Sequence, residues 1–159
     1  VNGFVLAKEY QDYHNGIGAS NLYKSDRDSV IRIVVPELGI DKEIHETYEV
    51  DINTSDIRIY YVKAAHTYKG QFDILEKDSC FVTKPKQIKM FYEEFNKFNF
   101  GNDSYFIKID GSTHYFIEYK TKNEYYAFMR PYVDFYGKPL DNEFPWMLFN
   151  LYMRNKTKK

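Results

Sequence analysis

A chain of 159 residues with 43% hydrophobic and 28% charged side chains and a formal net charge of −1 belongs to the folded globular class, which excludes disorder. No apolar run approaches the ~18 residues that span a bilayer, the near balance of charge does not imply generic nucleic-acid affinity, and the lone Cys80 excludes an internal disulfide and a multi-cysteine metal site. Sixteen Tyr, thirteen Phe and one Trp exceed what a small core needs, and this predicts aromatic contact residues on the surface.

The length suits one domain over 1–159, with 1–29 as an irregular N-terminal segment. In that segment Phe4, Leu6, Tyr10 and Tyr13 share one side of a short helix ended by Asn15-Gly16, and a loop follows at Gly18, Ala19 and Ser20. Phe4-Val5-Leu6-Ala7 is too short for the core of a secretion signal and no basic residue precedes it, so none is expected. Val30 to Val35 is a β-branched strand closed by Pro36. Residues 37–56 then carry Glu37, Asp41, Glu43, Glu46, Glu49, Asp51 and Asp56 against Lys42 alone, a local balance of −6. This run reads as a solvated loop or edge strand, or as an acidic patch for a basic partner. Tyr48 to Ile52 alternates weakly and ends in the turn cluster Asn53 to Asp56, whereas Ile57 to Lys63 alternates well. Phe72–Leu75 and Ser79–Val82 are two short strands separated by a charged turn, Glu76-Lys77-Asp78, with Cys80 as a small buried hydrophobe.

The clearest helix covers about 84–98: Thr83 caps it, Pro85 suits its first turn, and Ile88, Phe91, Tyr92, Phe95 and Phe98 recur at helical spacing. Tyr105 to Ile109, the turn Asp110-Gly111 and Tyr115 to Lys120 form a hairpin. Lys122-Asn123 turns the chain into Tyr125 to Arg130, stopped by Pro131, and Tyr132 to Asp141 is a loop. A last helix, about 142–154, is apolar nearly all round: Phe144, Met147, Leu148 and Leu151 form one stripe, and Trp146, Phe149, Tyr152 and Met153 fill much of the rest. Such a helix is buried or lies at an interface. The order of elements predicts an α+β fold, an antiparallel sheet of several strands packed with these two main helices.

The most enzyme-like pattern is Asp110 with Glu118-Tyr119-Lys120, which resembles the Mg²⁺ site of restriction-type nucleases, with Glu93 or Glu94 as a further ligand. Alternation places Glu118 and Lys120 on a solvent face and Asp110 in a turn, which favours a surface charge pair. Asp51-Ile-Asn53-Thr-Ser55 opens like a calcium loop but has Asp56 and Val62 where Gly and Glu belong. Gly16-Ile17-Gly18 has Asn21 where a dinucleotide loop needs Gly or Ala. His14, His45, His66 and His114 are dispersed, and the neighbours of Cys80 argue for an unreactive thiol. No catalytic residue, metal or cofactor is expected. The binding candidates are the acidic Glu43, Glu46, Glu49 and Asp51, and the rings Tyr132, Phe135 and Tyr136, stiff contact area beside Gly137 and Pro139.

From Phe91 to about Arg130 the chain is similar to a loose class of small uncharacterised bacterial α+β proteins. In that class an aromatic helix ending in a Phe-x-Phe-like segment, here Phe98-Asn99-Phe100, precedes a hairpin of the type seen in Asp110-Gly111-Ser112-Thr113-His114-Tyr115-Phe116-Ile117-Glu118. The class consists of secreted lipoproteins and small stand-alone proteins, some resembling toxin-neutralising immunity proteins. The resemblance implies that Asp110 and Glu118 define the fold, and it supplies no catalytic residue. The expectation is a non-enzymatic protein-binding module, an immunity-type inhibitor that occludes a bacterial toxin, with acidic residues speeding association. The alternatives are a cell-envelope lipoprotein or surface domain, and a Mg²⁺-dependent nuclease. The expected partner is a protein and not nucleic acid, in the cytoplasm or cell envelope of a bacterium.

Overall fold

Every residue from Val30 to Val35 is buried, the pattern of a strand covered on both faces. In the computed structural model, which describes residues 11–37, 44–52, 56–67, 71–98, 113–133 and 143–157, this run is the centre of an antiparallel sheet. The strands are β1 (Val30–Glu37), β2 (Ile44–Asp51), β3 (Ile57–His66), β4 (Phe72–Val82), β5 (Thr113–Lys120) and β6 (Tyr125–Val133), in the order β4-β3-β2-β1-β5-β6. Residues 11–16 form a short helix α1, and the longer helices are α2 (Pro85–Phe95) and α3 (Glu143–Asn155). This is an α+β architecture in which strands dominate. Among the described residues no helix is long and apolar enough to cross a membrane.

Alternation along β1 assigns the two faces. Ile31, Ile33 and Val35 join Tyr48, Val50, Ile57, Ile59, Tyr61, Tyr115 and Ile117 under α2 and α3. There Phe91 of α2 and Phe144 of α3 approach within 5.8 Å, and Tyr152 of α3 stacks on Tyr61 at 4.3 Å. The opposite face carries Val34, Ala64, Phe116 and Ala127, covered by Tyr13 and Ile17. Tyr13 reaches the sheet through its hydroxyl, 2.8 Å from Thr47 Oγ1, and through an edge contact with Phe72 at 5.0 Å.

Several boundaries differ from the sequence reading, each for a physical reason. The acidic run is neither loop nor edge where it is described: Ile44–Asp51 is an interior strand paired with β1 and β3. The charged Glu76-Lys77-Asp78 is no turn, because β3 pairs along the whole of β4; Leu75 is the extra residue of a bulge facing Lys63 and Ala64. Charged side chains and a bulge are what a strand at the rim of a sheet carries. Pro36 lies inside β1, paired with His45, beyond the reach of β5, whose register on β1 ends at Val34, so no ladder donor is missing on that side. Pro131 likewise lies within β6, next to a register shift at Thr113/His114 that leaves Tyr132 as the additional residue. Tyr132 therefore belongs to a strand and not to a loop. Thr83 does not cap α2; Lys84 occupies that position with no side-chain cap, while Pro85 in the first turn has no N–H to satisfy. The hairpin arm Tyr105–Ile109 and the turn Asp110-Gly111 lie outside the described residues.

Helix α1 ends two residues later than the Asn15-Gly16 pair implies. Ala19 N–H donates to the His14 carbonyl at 2.8 Å and Gly18 N–H to that of Asn15 at 3.1 Å, with Gly18 at φ +73°. That is a Schellman cap, and Gly18 is its left-handed residue. Nothing lies within 4 Å of where a Gly18 side chain would start, so the requirement is purely one of backbone. Gly18→Ala is expected to lower stability by about 1 kcal/mol, and Gly18→Asn by less. Urea unfolding measures both, and an alanine variant as stable as the parent contradicts the cap.

Candidate functional site

The face under α1 holds the densest set of ionisable groups among the described residues. It follows from register alone. Arg32 of β1 stands opposite Glu49 of β2 on one side and Glu118 of β5 on the other, all in one row across the sheet. Arg32 is 0% exposed. Its Nε and Nη2 donate to Glu49 Oε2 at 3.0 and 2.6 Å, and Nη2 also donates to the Ser20 carbonyl at 2.8 Å. Nη1 lies 3.3 Å from His14 Nδ1 and 3.5 Å from Glu118 Oε2. Arg27 binds the other oxygen of Glu49. Tyr125 donates its hydroxyl to Glu118 Oε1 at 2.6 Å.

Electrostatics follow from this geometry. Burial alone raises the Glu49 carboxyl, but Arg32 and Arg27 outweigh it and hold the group below the ordinary carboxylate range. Burial raises Glu118, and the nearby Arg32 and the hydrogen bond from Tyr125 offset this only in part. Burial and the adjacent Arg32 push His14 down to about 3. His14 is thus a neutral ring at pH 7. Because a guanidinium only donates, Nδ1 accepts from Arg32 and the proton sits on Nε2, which has no hydrogen-bond partner. The cluster ties residues 14, 20 and 27 of the N-terminal segment to three strands.

Such an arrangement holds structure and does not suit a metal. Glu118 is 4% exposed, which corrects the expectation of a solvent-facing residue: the N-terminal segment covers that face. Glu93 and Glu94 sit on α2, on the other side of the sheet, so they do not join Glu118 in one site. An arginine already occupies the space beside Glu118 that a cation would need. Asp110 lies outside the described residues, and among those described no group of three or more His, Cys, Asp or Glu is placed to hold a metal ion. Cys80 is buried with its thiol pushed up to about 11 by burial and Asp78, as its apolar neighbours imply.

No family model, no curated protein and no solved structure matches this chain. The functional reading therefore rests on the side chains and on the sequence resemblance of the Phe91–Arg130 stretch.

The acidic binding candidates are not brought together. Alternation along β2 sends Glu46 to the helix side, where it accepts the Tyr61 hydroxyl at 2.6 Å, and Glu49 and Asp51 to the α1 side. Glu43, Phe135 and Tyr136 lie outside the described residues, and Tyr132 is placed in β6. What the sequence reading did not single out is Trp146. It is 48% exposed on α3, two turns from Met153 at 44%. Two clefts of about 360 Å³ each meet at its indole. One is bounded by Val35, Glu46, Tyr48 and Lys63 of the sheet, with Pro145 and Phe149. The other lies between α2 and α3. The signal was present in the sequence: a helix apolar nearly all round has one large ring too many for the sheet to cover.

Two outcomes test the cluster. Arg32→Ala removes the cation beside the buried Glu118 and one of the two that hold Glu49, and is expected to cost about 3–5 kcal/mol. Adding Glu49→Leu and Glu118→Leu to Arg32→Met should recover most of that loss, since an apolar row of similar volume leaves no buried charge unpaired, Arg27 being partly exposed; failure to recover contradicts the account. For pH, the folded His14 binds its proton near 3 and the unfolded chain near 6.5, so the unfolded state holds more protons between those values. The stability owed to neutral His14 is complete above about pH 6.5 and is lost as pH falls towards 3, while the raised Glu118 works in the opposite direction. The difference between parent and His14→Gln in urea titrations isolates the histidine. It should approach a slope of about 1.4 kcal/mol per pH unit within the window, and identical pH profiles contradict it.

Proposed function

We propose that this chain is a non-enzymatic protein-binding module of the immunity type, a stoichiometric inhibitor that occludes a bacterial toxin. The observation that carries the binding half is Trp146, a half-exposed ring that lines two clefts, one between α3 and the sheet and one between α2 and α3. Tryptophan is the residue most enriched at energetic centres of interfaces, where a large rigid ring is desolvated at low entropic cost. The inhibitory half is supported by the likeness of the Phe91–Arg130 stretch to immunity-like proteins. In this reading the contact surface moves from the acidic run to the helix side of the molecule, keeping Glu46, which lines one of the clefts. The ionisable cluster on the opposite face supports the same reading, because its charges are turned inward on one another.

The test is affinity capture of the partner from source lysate with parent and Trp146→Ala chains as bait. The expected result is one stoichiometric partner, a toxin-like enzyme whose activity falls on binding, and a loss of at least tenfold in affinity for the alanine chain, roughly the 2 kcal/mol expected of a central interface tryptophan. A partner bound equally by both chains contradicts the assignment of the surface, and a partner whose activity is untouched contradicts inhibition.

A further inference from the structure

Residues 11–28 lie on the sheet as a cover, and the residue that joins them to β1 is strained. Ser29 has φ +55°, a left-handed conformation uncommon outside glycine and kept only where the surroundings hold it. Its carbonyl accepts the Ile52 N–H at 3.0 Å, and the adjacent Asp28 accepts the Lys122 N–H on Oδ1 at 2.9 Å. The cover itself is fastened by Tyr13 to Thr47, by the Ser20 carbonyl to Arg32, by Arg27 to Glu49, and by Tyr23 edge-on to Tyr125 at 5.3 Å. Beneath it Val34, Ala64, Phe116 and Ala127 are buried.

His14 is where acid acts on this arrangement. Its Nε2 already carries a proton, so a second must go to Nδ1, the atom that accepts from Arg32 at 3.3 Å. The acceptor then becomes a donor, and two buried cations face each other at that distance. Glu118 Oε2, 3.7 Å from Nδ1, gives no relief: it is beyond hydrogen-bond reach, and burial makes Glu118 take up its own proton at a higher pH than His14 does. The other ionisable groups of the sheet that face the cover are Glu49 and His45 of β2, Tyr125 of β6 and Lys77 of β4. Protonating Glu49 frees Arg27 and so acts in the same direction as His14.

We infer that residues 11–28 form an acid-released cover, which swings about Ser29 and bares the apolar strip of Val34, Ala64, Phe116 and Ala127 while the sheet stays folded. The sheet survives release because the core under α2 and α3 lies on its other face and includes no residue of the cover. His14 binds its proton near 3 in the closed form and near 6.5 once released, so acid favours release between those values. Glu118, raised in the closed form, opposes this until its ordinary 4.5 is passed, and its contribution is nearly constant at lower pH. Release therefore grows about tenfold per pH unit between about pH 4.5 and 3.5. The device lies on the face opposite Trp146 and does not depend on the proposed function.

Hydrogen exchange of the full chain, followed by mass spectrometry and corrected for the intrinsic pH dependence of exchange, tests it. The expected result is that the peptide spanning residues 11–28 loses about tenfold in protection from pH 4.5 to 3.5 while β1, β2 and β3 keep theirs. His14→Gln should flatten that dependence, and retained protection of the strands shows that the variant folds. Arg27→Gln, at a partly exposed position, should raise exchange of the same peptide by roughly threefold at pH 7 and leave its response to acid in place. Cover and strands losing protection together, or a cover unchanged down to pH 3.5, overturns the inference. A His14→Gln chain as sensitive to acid as the parent overturns it too.

Discussion

Arg32 is a guanidinium with no access to water at the centre of the sheet's six described strands, and the rest of the structure is arranged to make that tolerable. A charge in that position demands opposite charge on both neighbouring strands, which Glu49 and Glu118 provide. A slip of one residue in either strand turns its glutamate to the opposite face and leaves a buried charge alone. The row therefore fixes register across β2, β1 and β5 at once. It also fixes the N-terminal segment, since the remaining donors of Arg32 require the Ser20 carbonyl and the His14 ring, and Glu49 requires Arg27. A cluster of this kind adds little stability over an apolar row, and what it adds in this account is a unique pairing.

The two faces of the sheet consequently differ in character. On the α1 side, polar groups point inward and bind one another, with His14 Nε2 and Glu118 Oε2 left without a hydrogen bond, under a short helix and a tight loop. On the other side, α2 and α3 bury Phe91, Phe144, Leu148 and Leu151 and leave Trp146 and Met153 outward. The aromatic richness of the chain divides in the same way. Tyr13, Tyr48, Tyr61, Tyr115 and Tyr152 are core residues, and Tyr23, Phe81 and Trp146 remain exposed. Of these three, Trp146 lines two clefts, which is why the helix side is proposed as the binding surface.

The strands β1 and β3 and both long helices were legible in the sequence because their apolar periodicity is local. What was not legible depended on contacts between distant segments. Glu118 alternates as a solvent residue does, and only the arrival of His14 and the N-terminal segment buries it. Glu46 and Glu49 resemble a solvated acidic run until Tyr61 and Arg32 are seen to bind them. Glu76, Lys77 and Asp78 resemble a turn because a strand at the rim of a sheet shows the same polarity. The end of α1 was misplaced because Asn15-Gly16 and Gly18 both offer a stop, and a sequence does not reveal which glycine takes the left-handed conformation. For the site, the apolar excess on α3 was visible, but not which ring escapes the sheet.

The measurement that bears most directly on this account is oxidative footprinting of the chain, free and in complex with its captured partner. Tryptophan and methionine are among the side chains that oxidise most readily when exposed, and Trp146, Met153 and Met90 mark the helix side while Tyr23 marks the other face. The account predicts that oxidation of Trp146 and Met153 falls on binding while that of Tyr23 is unchanged. Protection of Tyr23 with Trp146 still reactive contradicts it and moves the interface to the face that Arg32 holds together.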